Sequence, residues 1–595
     1  MTMTRPTTEQ ITHNGQLLSS VLDRAINVLD YGAVGDGVTD DMDALIAAVN
    51  AVKAAGGGTL YIPFTPNGYY LRYGAGCQLG GTNGISIVSN NATLKLQGGT
   101  LSQTQAVSVF YSSTSAGVQN LLIQGLRFEA ASTVLRYGNG PTSPRHFEDQ
   151  VDIGRADPLE QASFRDAINL QGASNNITIR DCYFKTLQTA VKVTDGAYGT
   201  PVNNVLFENL HFDGINSQSI LVGEINKLTI CNIYDVDHKG SKFDWLFYLA
   251  AGLTDLVVSD VTYRQDSPVN NYGASAIGLD GLTNGAVLSN ILIDGCGSNS
   301  FVIASSNVTM SSVVVKRVAN SAGGALSFSG ASNSNVVITG LVITDCPWCI
   351  VVGGVAPSVS ISDFVFRNAT RQFLGDFGAG SGVSMSFSHG TIIDCGSNTN
   401  SCIRKAISAT APVKLRFDDV RFQYTTYVPL IEIVDVRGAN TVVEFSNCVF
   451  ESLFGTCSKQ PIYTGSGATV SLLNCSKTGW STAMTYSGVT GSGVVSRVSE
   501  LPLTETTLTV DSATPSVLGN LLFVTANTTA TAITNFTDGV QGQEICVRVN
   551  DANTTFDFSG SNLKGNNGVD YVATSGDLVF AKRIGSNWYC TVCEA

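Results

Sequence analysis

The sequence predicts an all-β chain: a right-handed, single-stranded parallel β-helix with an N-terminal capping helix and a C-terminal β-sandwich-like domain. Three observations carry this. Short apolar segments recur at a near-constant spacing, a second set of strands alternates in one shared phase, and the composition is rich in turn residues and poor in charge. Of 595 residues, 43% are hydrophobic, 14% are charged and 61 are glycine. That is too apolar for a disordered chain and too weakly charged for helical bundles.

The first set begins at Ile177, Val205, Leu228, Leu256, Ala286, Val308, Val336 and Val359, with successive gaps of 28, 23, 28, 30, 22, 28 and 23 residues. A repeat of that length holds three short strands and three turns but no strand–helix–strand crossover. Four positions after each start stands a turn former: Asp181, Asn209, Asn232, Asp260, Asn290, Ser312, Gly340 and Asp363. Leucine-rich horseshoes share the period, yet their Leu-x-x-Leu-x-Leu spacing is missing and β-branched residues dominate. The second set aligns 167–172, 190–195, 219–224, 275–280, 300–305 and 325–330. The second and fourth residues are apolar almost throughout, as inward positions of a period-two strand must be. In the 275–280 copy the bulky residues fall third and fifth, which leaves it open to a shift of one.

An open solenoid end exposes unpaired strand groups and apolar core, so it needs a cap. Thr39-Asp40-Asp41-Met42-Asp43 sets capping and acidic residues ahead of Leu45, Ala48, Val49 and Val52, which share one helical face. Gly56-Gly57-Gly58 ends this helix, and 59–63 is the first strand. The coil spacing loosens after about Ile407, and from Leu501 short strands with Thr/Asn/Gly turns read as a small β-sandwich. The predicted organisation is a neck or docking peptide over 1–26, an opening motif and capping helix over 27–66, and a parallel β-helix over 67–410. Irregular terminal coils follow over 411–497, and the C-terminal sandwich over 498–595.

Asp30-Tyr-Gly-Ala-Val-Gly-Asp-Gly-Val-Thr-Asp-Asp41, an alanine-rich helix and Gly56-Gly-Gly-Thr-Leu-Tyr-Ile-Pro63 together resemble the opening motif of pectate-lyase-like β-helix proteins. Within that superfamily the motif is especially similar to bacteriophage tailspikes. It marks where the fold begins, so Asp36, Asp40 and Asp41 are expected in turn and N-cap roles. The C-terminal segment, with Ile533-Thr-Asn-Phe-Thr537 and Asn587-Trp-Tyr589, is similar to tailspike and tail-fibre domains that trimerise the spike or touch host glycan. The resemblance implies a homotrimer in the virion tail that meets bacterial surface polysaccharide, O-antigen or capsule, at the host's outer surface. Tailspikes that bind the virion directly carry a larger domain ahead of this motif, so the resemblance implies either a chain shortened at its N-terminus or docking onto another phage tail protein through residues 1–26, the polar neck over Gln10 to Leu22 favouring the second.

Lys plus Arg is 34 against 47 Asp plus Glu, a net charge of 34 − 47 = −13. That field repels phosphate backbones, so no nucleic-acid partner is expected. No stretch approaches the roughly 18 uninterrupted apolar residues of a membrane span. The 14 cysteines read as buried thiols. Cys346…Cys349 and Cys590…Cys593 lack the second pair or histidines of a zinc site, and Asp235-Val-Asp237 offers too few oxygens for calcium. Neither a metal nor a cofactor is expected.

Glycoside hydrolysis needs two carboxyl groups flanking the bond, one protonated and one ionised. The position closing each short strand reads Gly172, Asp195, Glu224, Ala251, Asp280, Ser305 and Gly330. Asp195, Glu224 and Asp280 are therefore the candidate catalytic residues, on coils about 4.8 Å apart. Retaining pairs stand about 5 to 5.5 Å apart and inverting pairs about 6.5 to 9.5 Å, and side-chain reach spans both, so stereochemistry stays open. Crowding favours Glu224 as the acid, although turn acids solvated at a coil edge would give the same pattern. Enlarged turns supply candidate substrate contacts: Asp237, His238, Lys239 and Trp245 in one, Tyr263, Arg264 and Tyr272 in the next. The strand phase of Leu246-Phe247 also makes Trp245 a core candidate. A polysaccharide lyase would instead need a base and a neutraliser for a uronate carboxylate, roles open to His238, Lys239, Tyr263 and Arg264. Ser388-His389-Gly390 resembles a polygalacturonase histidine motif whose companions are missing. A non-catalytic adhesin of the same fold would need only the groove.

Overall fold

The computed structural model describes residues 12–13, 16–17 and 25–595, apart from 73, 97–107, 114–115, 131–165, 188, 195–200, 216–217, 237–244, 250–251, 266–274, 281–284, 320–322, 330–334, 354–357, 376–381, 397–400, 406–411, 427–432, 437–439, 458–460, 465–467, 481–484, 488–493, 497–504, 519 and 540. The chain divides into two units, Met1–Pro357 and Ser358–Ala595.

In the first unit each coil is one long strand, bent once, followed by one short strand. Asn175–Lys185 leads to Thr189–Thr194, Val202–Asp213 to Gln218–Val222, and Ile225–Val236 to Trp245–Leu249. Every long strand pairs in parallel with the long strands of the neighbouring coils, and the short strands form a separate parallel sheet. Ile177, Val205, Leu228, Leu256, Ala286 and Val308 are paired in register, so the repeat seen in the sequence is the coil itself. The bend is made where the turn formers stand. Asp181, Asn209, Asn232, Asp260, Asn290, Ser312 and Gly340 all have φ between 53° and 65°, as does Asp363 in the second unit. Asparagine, aspartate and glycine tolerate that left-handed conformation best.

A second left-handed position lies near the start of the long strands. Asn120, Asn176 and Asn204 occupy it, each handing its amide to the coil before: Asn120 to Asn83 at 2.7 Å, Asn176 to Asn120 at 2.7 Å and Asn204 to Asn176 at 2.8 Å. The sequence reading passed over this ladder because its residues lie outside the apolar columns. Inside the coil, rings stack along the axis. Phe128 and Phe184 lie with centroids 5.1 Å apart, Phe184 and Phe212 5.2 Å apart, all three fully buried.

The capping helix is Met42–Ala54, with Leu45, Ala48, Val49 and Val52 buried as expected. Asp40 accepts from the Met42 N–H at 3.1 Å and pairs with Arg72, while Asp36 closes the turn by accepting from Val38 and Thr39. Asp41 is 1% exposed and accepts from the backbone N–H of Val34 and Gly35 at 2.5 and 3.1 Å. All three acids of the opening motif are thus structural. Asp41→Ala leaves those donors without a partner and is expected to cost about 1–3 kcal/mol, read as a lower denaturation midpoint. An unchanged midpoint would mean water replaces the carboxylate without loss.

In the second unit, Val383–Ile393, Val413–Tyr424, Thr441–Ser446 and Ala468–Leu473 continue in parallel register, so the stretch with irregular spacing still winds as coils. Its core again stacks phenylalanines: Phe387, Phe417 and Phe445 at 4.9 and 5.0 Å. The C-terminal domain has a six-stranded sheet (Thr506–Thr507, Leu522–Val524, Glu544–Arg548, Leu578–Ile584, Asn587–Cys593, Leu563–Lys564) and a three-stranded sheet (Thr531–Ile533, Thr554–Phe556, Tyr571–Val572). They share a core that includes Phe523, Val547, Phe556 and Trp588. The sandwich is mixed: Leu522–Val524 with Glu544–Arg548 and Thr531–Ile533 with Thr554–Phe556 are parallel pairs.

Candidate active site on the outer face of the coils

Beyond the Asp181-type bend each long strand has four residues, alternately in and out. The inward places hold Phe128, Phe184 and Phe212. The outward places of the same strands form two polar columns. One runs Arg127, Tyr183, His211, Tyr234, Thr262 and the other Glu129, Lys185, Asp213, Val236, Arg264, Asp294, Lys316. Neighbouring coils stand about 4.8 Å apart, so Arg127 to Tyr234 is a ridge of roughly 14 Å.

The ridge is tightly tied. Arg127 lies 3.9 Å over the ring of Tyr183 and pairs with Glu129 at 3.1 Å. Tyr183 donates its hydroxyl to Asp213 at 2.7 Å, and the Lys185 ammonium stands 3.8 Å from the same carboxylate. His211 is held edge-on between Tyr183 and Tyr234, with ring centroids 4.9 and 4.8 Å away. Tyr234 is 41% exposed, so its ring offers a face to solvent. Partial burial pulls His211 below the ordinary histidine value, with Arg127 adding to the effect and Asp213 and Asp235 opposing it. Burial and the bond to Asp213 push Tyr183 up to about 12. At neutral pH the ridge therefore presents a neutral imidazole between the rings of Tyr183 and Tyr234, with Arg127 and Lys185 beside it. That combination can remove a proton, return one and neutralise a developing anion.

The acid column is altered by the pairing. Val193 pairs with Val222, and the Gly223 N–H donates to the Val193 carbonyl at 3.0 Å. Leu249 pairs with both Val222 and Leu279, so Asp280 falls one place early, level with Gly223 instead of Glu224. The 275–280 copy is shifted by one because Ile277 and Leu279 must fill the inward places opposite Phe247 and Leu249. Asp280 thus leaves the column. Glu224 is half-buried and lies flat across Gly252 of the next coil, where an added Cβ would stand 2.6 Å from its Cγ. Asp195 lies outside the described residues, as do Asp237, His238, Lys239 and Tyr272.

Three other candidates are described. Trp245 pairs with Gln218 and Ser275 and is half-buried, with its ring over Gly278 and edge-on to Tyr248 at 5.5 Å. It is neither freely exposed nor sealed in the core, where Phe247 and Leu249 are fully buried. The expectation for Tyr263 is corrected. It is 5% exposed, on the inward column, with its hydroxyl 3.4 Å from Gln265, so it is a core residue and no substrate contact. Arg264 is exposed on the second ridge column.

Arg127, Glu129, Tyr183, Lys185, His211, Asp213 and Tyr234 were missed in the sequence. Stacking 126–129, 182–185, 210–213 and 233–236 on Phe128, Phe184 and Phe212 would have exposed them.

Comparison with known proteins bears mainly on the opening segment. Residues 25–75 match a family model described as rhamnogalacturonase A/epimerase, pectate lyase-like. Over 37 residues, 6% of this chain, it is 62% identical to the mannuronan C5-epimerase AlgE1 and to alginate lyase 7, both of Azotobacter vinelandii. The match spans only 3% and 4% of those proteins. Among solved structures, the pre-mature gene product 12 of bacteriophage phi29 aligns over 87% of this chain and 64% of its own at 15% identity, with a TM-score of 0.45. Tailspike protein 3 of bacteriophage CBA120 aligns over 82% and 65% at 10% identity, with a TM-score of 0.35. The chain is a right-handed parallel β-helix whose opening segment is of the pectate-lyase-like kind.

Proposed function

We propose that the chain is a polysaccharide depolymerase whose reacting surface is the ridge from Arg127 to Tyr234, and that it cuts a uronate-bearing glycan by β-elimination. The observation that carries this is His211, kept neutral between Tyr183 and Tyr234 with Arg127 and Lys185 beside it. His211 takes the proton next to the uronate carboxylate, and Arg127 and Lys185 offset the charge that then develops. As the carbon–oxygen bond to the next sugar breaks and a carbon–carbon double bond forms, Tyr234 gives its proton to the leaving oxygen. The proton on His211 then restores Tyr234. Tyr183, engaged by Asp213, fixes the platform. The outward rings suit sugar faces, since aromatic surfaces bury apolar area and keep polar edges wet.

The setting we propose is a homotrimeric phage tailspike, docked to another tail protein through residues 1–26 and meeting capsule or O-antigen at the bacterial outer surface. The opening motif supports it. Purified protein incubated with a panel of such glycans should release shorter oligosaccharides that carry the ultraviolet absorbance of an unsaturated uronate. Intact glycan throughout would leave an adhesin.

Carboxylate-pair hydrolysis is the second reading, favoured by Glu224, a half-buried carboxylate laid against Gly252 of the next coil. Glu224→Gln and Asp195→Asn separate the two. Elimination expects near-full activity in both variants, whereas hydrolysis expects a loss of about 10²–10⁴-fold with saturated products.

A further inference from the structure

We propose that Asp235 is a positioning residue for His211: a carboxylate sealed inside the coil, behind the ridge, that supports the imidazole when it takes up a proton. This rests on the reading of the ridge given above. Asp235 stands in the inward column Phe128, Phe184, Phe212, Asp235, Tyr263, Ile293, Val315, where every other residue is aromatic or aliphatic. It is 0% exposed, and Ser219 of the adjoining short strand donates its hydroxyl to Oδ2. Stacking alone favours a ring or a branched aliphatic there, because carrying a carboxylate into an apolar column is unfavourable. The coil has nonetheless placed an acid on the one rung whose outward neighbours are His211 and Tyr234.

His211 pairs with Tyr234, the residue immediately before Asp235, so imidazole and carboxylate lie on opposite sides of one sheet, a single residue apart along the strand. Among the described residues, the charged and titratable groups around His211 are few. Asp213 comes from its own strand, Tyr183 and Lys185 from the preceding coil, Arg127 from the coil before that, and Tyr234 and Asp235 from the following coil. Asp213 is partly solvated on the outer face, with 29% of its side chain exposed, and it also serves Tyr183 and Lys185. Asp235 is shut away from water, where its field on a near neighbour is screened least. Once His211 holds the substrate proton, the buried carboxylate lowers the cost of the imidazolium without occupying any of the surface that the glycan must cover.

The chain has five histidines, so their ring protons can be followed by NMR through a pH titration, with His211→Gln assigning the signal. Asp235→Val suits a column that already accepts Val315 three coils on, and Asp235→Asn keeps the shape while removing the charge. Both variants are expected to fold and to melt no lower than wild type. The His211 midpoint should fall by about half a unit or more in each, and the acid limb of the pH–rate profile should move down with it. A purely structural Asp235 predicts the opposite: lost stability and an unmoved midpoint. An unmoved His211 midpoint in folded Asp235→Val and Asp235→Asn overturns this proposal. A wild-type protein that shortens no uronate glycan overturns the reading of the ridge instead, and the two results are read independently.

Discussion

His211→Gln is expected to reduce glycan cleavage by about 10²–10⁴-fold, the usual contribution of a positioned general base. Tyr234→Phe should cost a similar factor, because it removes the exposed hydroxyl beside His211 that returns a proton to the leaving oxygen. Tyr183→Phe should cost less, since that hydroxyl is committed to Asp213 at 2.7 Å. The pH dependence has a defined sign. His211 acts only when unprotonated, and burial first, then Arg127, holds its pKa below the ordinary value. Activity should therefore rise with pH through a midpoint under about 6.5 and be full at neutrality. Tyr183, pushed up to about 12, stays protonated throughout that window. Initial rates of appearance of the unsaturated product across pH test both points. Full activity in a folded His211→Gln variant would remove His211 as the base.

Phe184→Ala should be the most destabilising single change on the same rung, at about 3–5 kcal/mol. The ring is fully buried and stacked on both sides, 5.1 Å from Phe128 and 5.2 Å from Phe212, so truncation opens a void that no single neighbour can fill. Chemical denaturation followed by circular dichroism reads the loss. Tyr183→Ala is the matching control, one residue away but facing outward, and it should cost much less. Equal costs at 183 and 184 would mean that the inward column is not a continuous core.

Much of this molecule could be read from its residues because burial repeats. An inward position must be apolar in every coil, so Ile177 and its counterparts announced the period, and the left-handed bends at Asp181, Asn209 and Asn232 restricted residue choice in the same rhythm. Outward positions face no such demand. Arg127, Tyr183, His211, Tyr234 and Thr262 share a column but no single residue type, so only an accurate register brings them together. Asp280 shows how fragile that register is, since one displaced copy moved an acid out of its expected place. Asp235 and Tyr263 illustrate the converse: polar-looking residues in enlarged-turn sequence that pairing turns inward. Trp245 ended between its two expected roles, half-buried over Gly278 and Tyr248 while Phe247 and Leu249 fill the core.

The paired corners have a consequence for how such a protein can change. Each rung pairs its strands with the rung before and the rung after, and the asparagine ladder along one edge asks no more of a newcomer than an amide in the right place. A duplicated or deleted turn of the spiral can therefore be spliced in without retuning distant parts. The outward residues from Arg127 to Tyr234 can likewise be exchanged without disturbing the inward ones. If the proposed depolymerase acts there, new sugar preferences can be written on four rungs while the stack beneath them stays as it is.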